Sequence, residues 1–213
     1  MDFNLTEEHL MIREAARDFA KQELLPGVVE RDNKQEFPKE QVRKMGQLGF
    51  MGMMVDPKYG GGGMDTLSYA IVVEELSKID ASSSVIVSVN NSLVCYGIEK
   101  YANEEQKQKY VPKLASGEWI GCYCLTEPTA GSDANSGKTK AVLSADGSHY
   151  LISGQKIWIS NAGYADLMIV FARIEDDKNI TGFIIPNDPD NGISMGEEEN
   201  NQQHPVEKQE VRK

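Results

Sequence analysis

The sequence predicts an α+β protein in which an all-α helical N-terminal domain precedes a mostly antiparallel β domain. Two observations support this fold class. Apolar residues recur at helical spacing through the first half, and from about Glu118 short alternating and β-branched runs replace them. We expect the helical domain over residues 1–117, an incomplete β domain over 118–195, and a disordered tail over 196–213. The tail has too few apolar residues to order itself.

The first helix is predicted to begin at Thr6, whose hydroxyl makes it a favourable N-cap. Ile12, Ala16 and Phe19 then repeat at a spacing that places them on one face, and this pattern continues to Leu24.

The later helices follow from similar patterns. One begins after Phe37-Pro38 and points Val42, Met45 and Leu48 inward. Others are expected over residues 66–79 and 82–96, and from a cap at Asn103 to near Gly117. The Val and Ile content of 82–96 also allows a strand, but we predict a helix.

Four consecutive glycines occupy residues 60–63. A phosphate-binding loop needs a following Lys-Ser/Thr and a preceding strand, and neither is present. The glycines are therefore interpreted as a flexible connection.

Strands are predicted in the second half over residues 119–125, 138–144, 150–159, 167–173 and 181–185. Asp146-Gly147 is typical of a hairpin turn between the second and third of these.

Composition excludes several classes of function. The net charge of -11 argues against nucleic acid or an anionic membrane as a partner, and no apolar run is long enough to span a membrane. The acidic start is typical of neither a signal peptide nor a transit peptide, so a cytoplasmic location is expected. Of the three cysteines, Cys122 and Cys124 share one face of a predicted strand. Packing is the main interpretation, and a metal or redox role is the alternative.

Two segments carry the chemistry. Residues 123–133 combine small residues, hydroxyls and a stiffening proline, a composition that lets backbone N–H groups approach a flat, phosphate-bearing ligand. In residues 154–161, Trp158 and Ser160 alternate on one side of a predicted strand, where an indole can pack on a ring and a hydroxyl can reach its polar edge. Taken singly, each segment is also compatible with an ordinary polar loop or a core tryptophan.

Together these segments resemble the flavin-binding signatures of the acyl-CoA dehydrogenase family, and most closely its short-chain, butyryl-CoA type. The resemblance extends from Asp2 to about Glu199 and includes Leu5-Thr6-Glu7-Glu8 and Lys109-Tyr110-Val111-Pro112. It implies FAD as cofactor, an acyl-CoA substrate, α,β-dehydrogenation to the 2-enoyl-CoA, and an electron-transfer flavoprotein as electron acceptor.

The resemblance also implies residue roles. The residues implied to contact FAD are Tyr123, Cys124, Leu125, Thr126, Glu127, Pro128, Thr129, Ala130, Gly131, Ser132, Trp158, Ile159 and Ser160. Ser132, Ile86 and Val89 are implied to contact the acyl-CoA. No metal site is expected.

The sequence departs from the family in one respect that bears on catalysis. The family's catalytic glutamate lies in a C-terminal helical bundle, in a Tyr-Glu-Gly context, and this sequence contains no Tyr-Glu-Gly. No catalytic base is therefore assigned, and we expect a truncated form with little activity and no family homotetramer. The switch to unpatterned sequence near Asn200 suggests a frameshift, a hypothesis that fails if the neighbouring frame of the coding DNA does not restore the family sequence.

Three other functions stay open. The chain could be an inactive flavin-binding fragment or degraded gene product, an oxidase of the same fold, or a metal-binding module built on Cys122 and Cys124. Turnover with an artificial electron acceptor, peroxide release and bound zinc distinguish them.

Overall fold

The computed structural model describes residues 4–188, 191–193 and 196, and the backbone of Gln209–Arg212. The chain divides into two compact units, Met1–Trp119 and Ile120–Lys213. The first is helical and the second is built on a sheet, so the predicted fold class is confirmed.

The first helix, α1, spans Glu7–Phe19 and continues through a π-helical turn at Ala20–Leu24. Thr6 caps it as predicted, because its hydroxyl accepts a hydrogen bond from the His9 N–H at 3.2 Å. Its apolar face is buried as the spacing required, with Ala16, Phe19 and Leu24 in the core.

Two further helices precede the glycines. The short helix α2, Val28–Lys34, was not predicted and buries none of its residues, which explains why it leaves no apolar pattern. Helix α3, Lys39–Gln47, buries Val42 and Met45 as expected. Leu48 was predicted to point inward, and this is wrong. It follows the end of α3, and 52% of it is exposed.

The glycine run is an ordered, hydrogen-bonded turn, so the expectation of a flexible connection is wrong. The N–H groups of Gly62 and Gly63 donate to the carbonyls of Gly52 and Val55, each at 2.9 Å. A Cβ at Gly61 would lie 2.2 Å from the Val55 carbonyl oxygen. The run therefore serves close backbone packing.

The remaining helices form the core of this unit. Helix α4 spans Thr66–Ser77, and α5 spans Ala81–Ser88. A π-helical stretch at Val89–Cys95 leads into α6, Tyr96–Tyr101, and α7 is Glu104–Ala115. The helix prediction for residues 82–96 is thus confirmed over the strand alternative. Among the described residues, no helix has both the length and the apolar character needed to cross a bilayer.

The second unit is a mixed sheet. Its strands are β1 Gly121–Cys124, β2 Lys140–Leu143, β3 Tyr150–Gly154, β4 Leu167–Ile174, β5 Thr181–Pro186 and β6 Gln209–Arg212. The pairs β2–β3, β3–β6 and β4–β5 are antiparallel, whereas β1–β4 and β2–β4 are parallel. The predicted hairpin is present, because the Ser144 N–H donates to the His149 carbonyl at 2.8 Å across the turn at Gly147.

The end of the chain differs from expectation where the structure describes it. Gln209–Arg212 was predicted to be disordered, but its backbone pairs antiparallel with β3, from Leu151↔Arg212 to Gly154↔Gln209. The proposed frameshift point near Asn200 lies outside the described residues.

Candidate functional site

The first predicted segment leaves strand β1 and closes a tight turn. The Glu127 N–H donates to the Ala130 carbonyl at 3.0 Å, and the Ala130 N–H donates back to the Glu127 carbonyl at 3.1 Å. Pro128 and Thr129 form the exposed tip of this turn. Gly131 and Ser132 directly follow this turn, which fixes their position, and both are exposed.

The second predicted segment is not a strand, because β3 ends at Gly154. Trp158 and Asn161 adopt left-handed backbone conformations with φ of 57° and 70°, which no strand contains. The expectation that Trp158 and Ser160 alternate on one side of a strand is therefore wrong. Instead, Trp158 lies on an irregular loop with 71% of its surface exposed.

The structure brings the two segments together. The Ile157 N–H donates to the Thr126 carbonyl at 3.0 Å. Next to it, the Lys156 ammonium donates to the Leu125 carbonyl at 3.2 Å and to the Glu127 carboxylate at 2.7 Å. Side-chain and backbone bonds thus hold both loops in one arrangement.

Glu127 is the centre of this arrangement. Its carboxylate also accepts hydrogen bonds from the backbone N–H groups of Lys138 and Thr139, which lead into strand β2. Only 4% of the Glu127 side chain and 8% of the Lys156 side chain are exposed. Burial alone would raise the pKa of Glu127, but the Lys156 ammonium and the N–H donors outweigh it and hold this pKa below its usual value.

Several donors of the two segments are not used within the protein. Across the described residues, the hydroxyls of Thr126, Ser132 and Ser160 and the backbone N–H of Gly131 have no protein partner. No atom lies within 4 Å of the place where a Cβ on Gly131 would be. At Gly131, an unused N–H donor and open space therefore occur together.

Three of the predicted apolar contact residues, Cys124, Ala130 and Ile159, are placed in or beside the core, and Ala130 is only 2% exposed. Cys124 is buried in the hydrophobic cluster of the sheet unit, with its Sγ 3.5 Å from that of Cys122. The shared face expected for this pair is confirmed, and neither cysteine forms a disulfide. The contact with Cys124, together with burial, raises the pKa of Cys122. Ile159 also packs against this cluster.

In the part of the chain that the structure describes, no group of His, Cys, Asp or Glu side chains is arranged to hold a metal ion.

The predicted acyl-CoA contacts lie in different units. Ser132 belongs to the sheet unit, whereas Ile86 and Val89 lie in the helical unit, on α5 and at the start of the π-helical stretch. Both apolar side chains are at least nine-tenths buried, while their neighbour Val85 is 45% exposed.

Sequence reasoning assigned no role to Lys156, Thr139 or Gly154. Lys156 directly precedes the apolar run Ile157-Trp158-Ile159, which is the one local sign that its charge could be buried. A Cβ on Gly154 would lie 2.7 Å from the Cα of Thr139, so a glycine is required at this position. The Lys156–Glu127 and Gly154–Thr139 contacts each join residues that are distant in sequence, and no local pattern reveals them.

Comparison with known proteins gives the same family twice. The profile of the acyl-CoA dehydrogenase N-terminal domain matches residues 6–118, and that of the acyl-CoA dehydrogenase middle domain matches residues 122–209.

Individual proteins that are similar to this chain belong to the same family. The short-chain specific acyl-CoA dehydrogenase of Clostridium acetobutylicum is 49% identical over 87% of this chain and 49% of its own length. Butyryl-CoA dehydrogenase from Megasphaera elsdenii is 39% identical, with a TM-score of 0.87 over 94% of this chain and 53% of that one. An acyl-CoA dehydrogenase from Bacillus anthracis, complexed with FAD, is 36% identical, with a TM-score of 0.86 over 92% and 34%.

The chain spans about half the length of the curated relatives it matches. Domain profiles cover most of its residues, in the order that the two structural units follow. The chain belongs to the acyl-CoA dehydrogenase family.

Proposed function

We propose that this chain is the flavin-binding part of an acyl-CoA dehydrogenase that oxidises a short-chain acyl-CoA to the 2-enoyl-CoA. The observation that carries the proposal is the joining of residues 123–132 and 156–161 by the bonds of Lys156 and Ile157. Among the described residues, that arrangement leaves the hydroxyls of Thr126, Ser132 and Ser160 and the N–H of Gly131 without a protein partner, and there is open space beside Gly131.

The residues present fit FAD. A flavin ring has carbonyl oxygens and ring nitrogens on its edges and an apolar face, and its phosphates need a close, uncharged cradle. Thr126 and Ser160 supply hydroxyl donors, the exposed indole of Trp158 supplies a flat apolar surface, and Gly131 leaves its backbone approachable. When bound, FAD supplies the acceptor for the hydride that leaves the acyl chain.

The chain's own residues would bind and orient FAD and the acyl-CoA. We assign flavin contacts to the two segments and acyl-CoA contacts to Ser132, Ile86 and Val89. The short-chain preference is supported by the identity to short-chain specific and butyryl-CoA enzymes.

Glu127 is not the catalytic base. Its carboxylate is buried and bonded to Lys156, Lys138 and Thr139, and its pKa is lowered, so it neither reaches a substrate nor favours accepting a proton. With no Tyr-Glu-Gly in the sequence, we further propose that this chain alone has little or no dehydrogenase activity. An electron-transfer flavoprotein is the proposed acceptor of the complete enzyme, and a homotetramer is not expected for this chain.

The first experiment is a visible absorption spectrum of the purified chain before and after addition of FAD and desalting. Retention of a structured flavin band supports the proposed cofactor site. If the desalted protein is colourless even after incubation with a large excess of FAD, the proposed cofactor site is contradicted.

Activity is then measured with butyryl-CoA and an artificial electron acceptor. We expect bound flavin that butyryl-CoA does not bleach. Rapid bleaching would refute the inactivity proposal, and peroxide release during turnover would identify an oxidase instead.

A further inference from the structure

We propose that Glu127 and Lys156 are positioning residues for FAD binding. Their buried ion pair holds the two flavin-facing segments in register, and the Glu127 carboxylate itself does not contact the cofactor. This inference deepens the proposed function, on which it rests.

The bonds of the pair reach separate parts of the sheet unit. Lys156 donates to the Leu125 carbonyl and to Glu127, which ties the second segment to the first. Glu127 accepts from the N–H groups of Lys138 and Thr139, which ties the first segment to the start of β2. Without the pair, the described residues retain one direct hydrogen bond between the segments, from Ile157 to Thr126.

Burial explains why a positional role is favoured over a stabilising one. Moving two charges out of water costs free energy that their attraction seldom exceeds, and apolar residues of similar volume often serve stability equally well. Apolar side chains make no directional bonds. Only hydrogen bonds fix the position of the Leu125 carbonyl relative to the Lys138 and Thr139 amides that precede β2.

The surroundings of the carboxylate leave it little freedom. A Cβ on Gly137 would lie 3.0 Å from Glu127 Oε1, so the space beside the carboxylate is filled by the chain that leads into β2. Glu127 is therefore directed into the protein, away from the exposed Gly131 and Ser132. Glu127 begins the turn that ends at Ala130, so a movement of Glu127 would displace Gly131 and Ser132, which follow that turn.

The test compares FAD dissociation constants, measured by quenching of flavin fluorescence, with melting temperatures of the apoprotein. Lys156→Met removes the tether and keeps the side-chain length. Glu127→Gln with Lys156→Met also removes the carboxylate charge left without its partner. We expect each variant to weaken FAD binding at least about tenfold, by analogy with the loss seen when groups that orient metal ligands are removed.

Glu75→Gln is the matched control. Glu75 is equally buried, with 3% of its side chain exposed, and is bonded to Arg17 and Lys78 in the helical unit. We expect it to lower the melting temperature without changing FAD affinity. If it weakens FAD binding as much as Lys156→Met does, the effect is general destabilisation and the proposal is wrong.

A second readout does not require FAD. The chain has two tryptophans, so in a Trp119→Phe background the emission comes from Trp158 alone. Lys156→Met should lower the time-resolved anisotropy of Trp158 in the folded apoprotein, because its loop loses the two bonds that the Lys156 ammonium makes to Leu125 and Glu127. Unchanged anisotropy would contradict the positioning role.

The two readouts separate this inference from the proposed function. If the wild-type chain binds no FAD, the proposed function fails and the Trp158 anisotropy still decides the role of the pair. If neither Lys156→Met nor the double variant folds, the pair is needed for folding itself and the positioning proposal is overturned.

Discussion

Gly131 and Gly154 have different surroundings, although both belong to the predicted signatures. Gly131 is exposed, and a Cβ there meets nothing within 4 Å. On the proposed function its missing side chain lets a ligand approach the backbone. Gly131→Ala should therefore leave the melting temperature unchanged and weaken FAD binding, measured by fluorescence titration. Equal FAD affinity in the variant would show that no ligand approaches this backbone.

Gly154 packs against the protein itself. A Cβ there would lie 2.3 Å from the Thr139 hydroxyl oxygen and 2.7 Å from its Cα, so β3 or β2 must shift. Gly154→Ala should lower the free energy of unfolding by about 1–3 kcal/mol, the usual cost of overpacking. Urea unfolding checks this, with Gly131→Ala as the control that keeps its stability.

Thr126, Ser132 and Ser160 could be selected from the sequence because their residue types state their chemistry. Lys156 could not, because its role depends on Glu127, which lies in the other segment and is buried with it. Trp158 was recognised, but its left-handed backbone contradicted the predicted strand. The buried Lys156 beside it fixes the loop by a contact that periodicity does not encode.

At the level of elements, helices α1 and α4 are joined by an ion pair between the half-exposed Arg17 and the buried Glu75. The Arg17 guanidinium donates to both carboxylate oxygens of Glu75, at 3.0 and 3.1 Å, and Lys78 donates to the same group. The hydrogen bond from Arg17 is the main cause that lowers the pKa of Glu75 to about 2, from an ordinary value of 4.5.

This shift predicts a pH dependence of stability. A carboxyl whose pKa is lowered by folding stabilises the protein above its unfolded pKa and loses that contribution as pH falls through the folded pKa. Glu75→Gln should therefore cost about 2 kcal/mol at pH 7, allowing for solvent screening at the half-exposed Arg17, and progressively less between pH 4.5 and 2. Urea unfolding at several pH values measures the difference.

The neighbouring Glu74 provides the control. It pairs with the same Lys78, but 64% of its side chain is exposed. Glu74→Gln should change stability by less than about 1 kcal/mol at neutral pH, as exposed pairs do. If both variants lose the same free energy of unfolding, burial of Glu75 beside Arg17 and α1 does not explain its contribution to stability.

For the whole molecule, the order of helical and sheet units followed from a change of periodicity near Glu118, and the structure divides at Trp119. The antiparallel hairpin at Gly147 followed from its turn residues. The parallel pairing of β1 with β4, from Gly121↔Leu167 to Cys124↔Val170, did not, because strands so far apart in sequence have no turn to mark their partnership. The pairing of Gln209–Arg212 with β3 was missed for the same reason.

The whole chain also offers a test of cofactor linkage. A ligand that binds only the folded state adds RT ln(1 + [L]/Kd) to the free energy of unfolding, about 2.7 kcal/mol at a hundredfold excess over Kd. FAD should therefore raise the melting temperature of the wild-type chain in proportion to the logarithm of its concentration. At the same FAD concentration, the rise in melting temperature should be smaller in Gly131→Ala and Lys156→Met. In Glu75→Gln the rise should equal that of the wild type, although the melting temperature without FAD is lower. A shift of equal size in all four proteins would mean that FAD binds elsewhere than at the two joined segments.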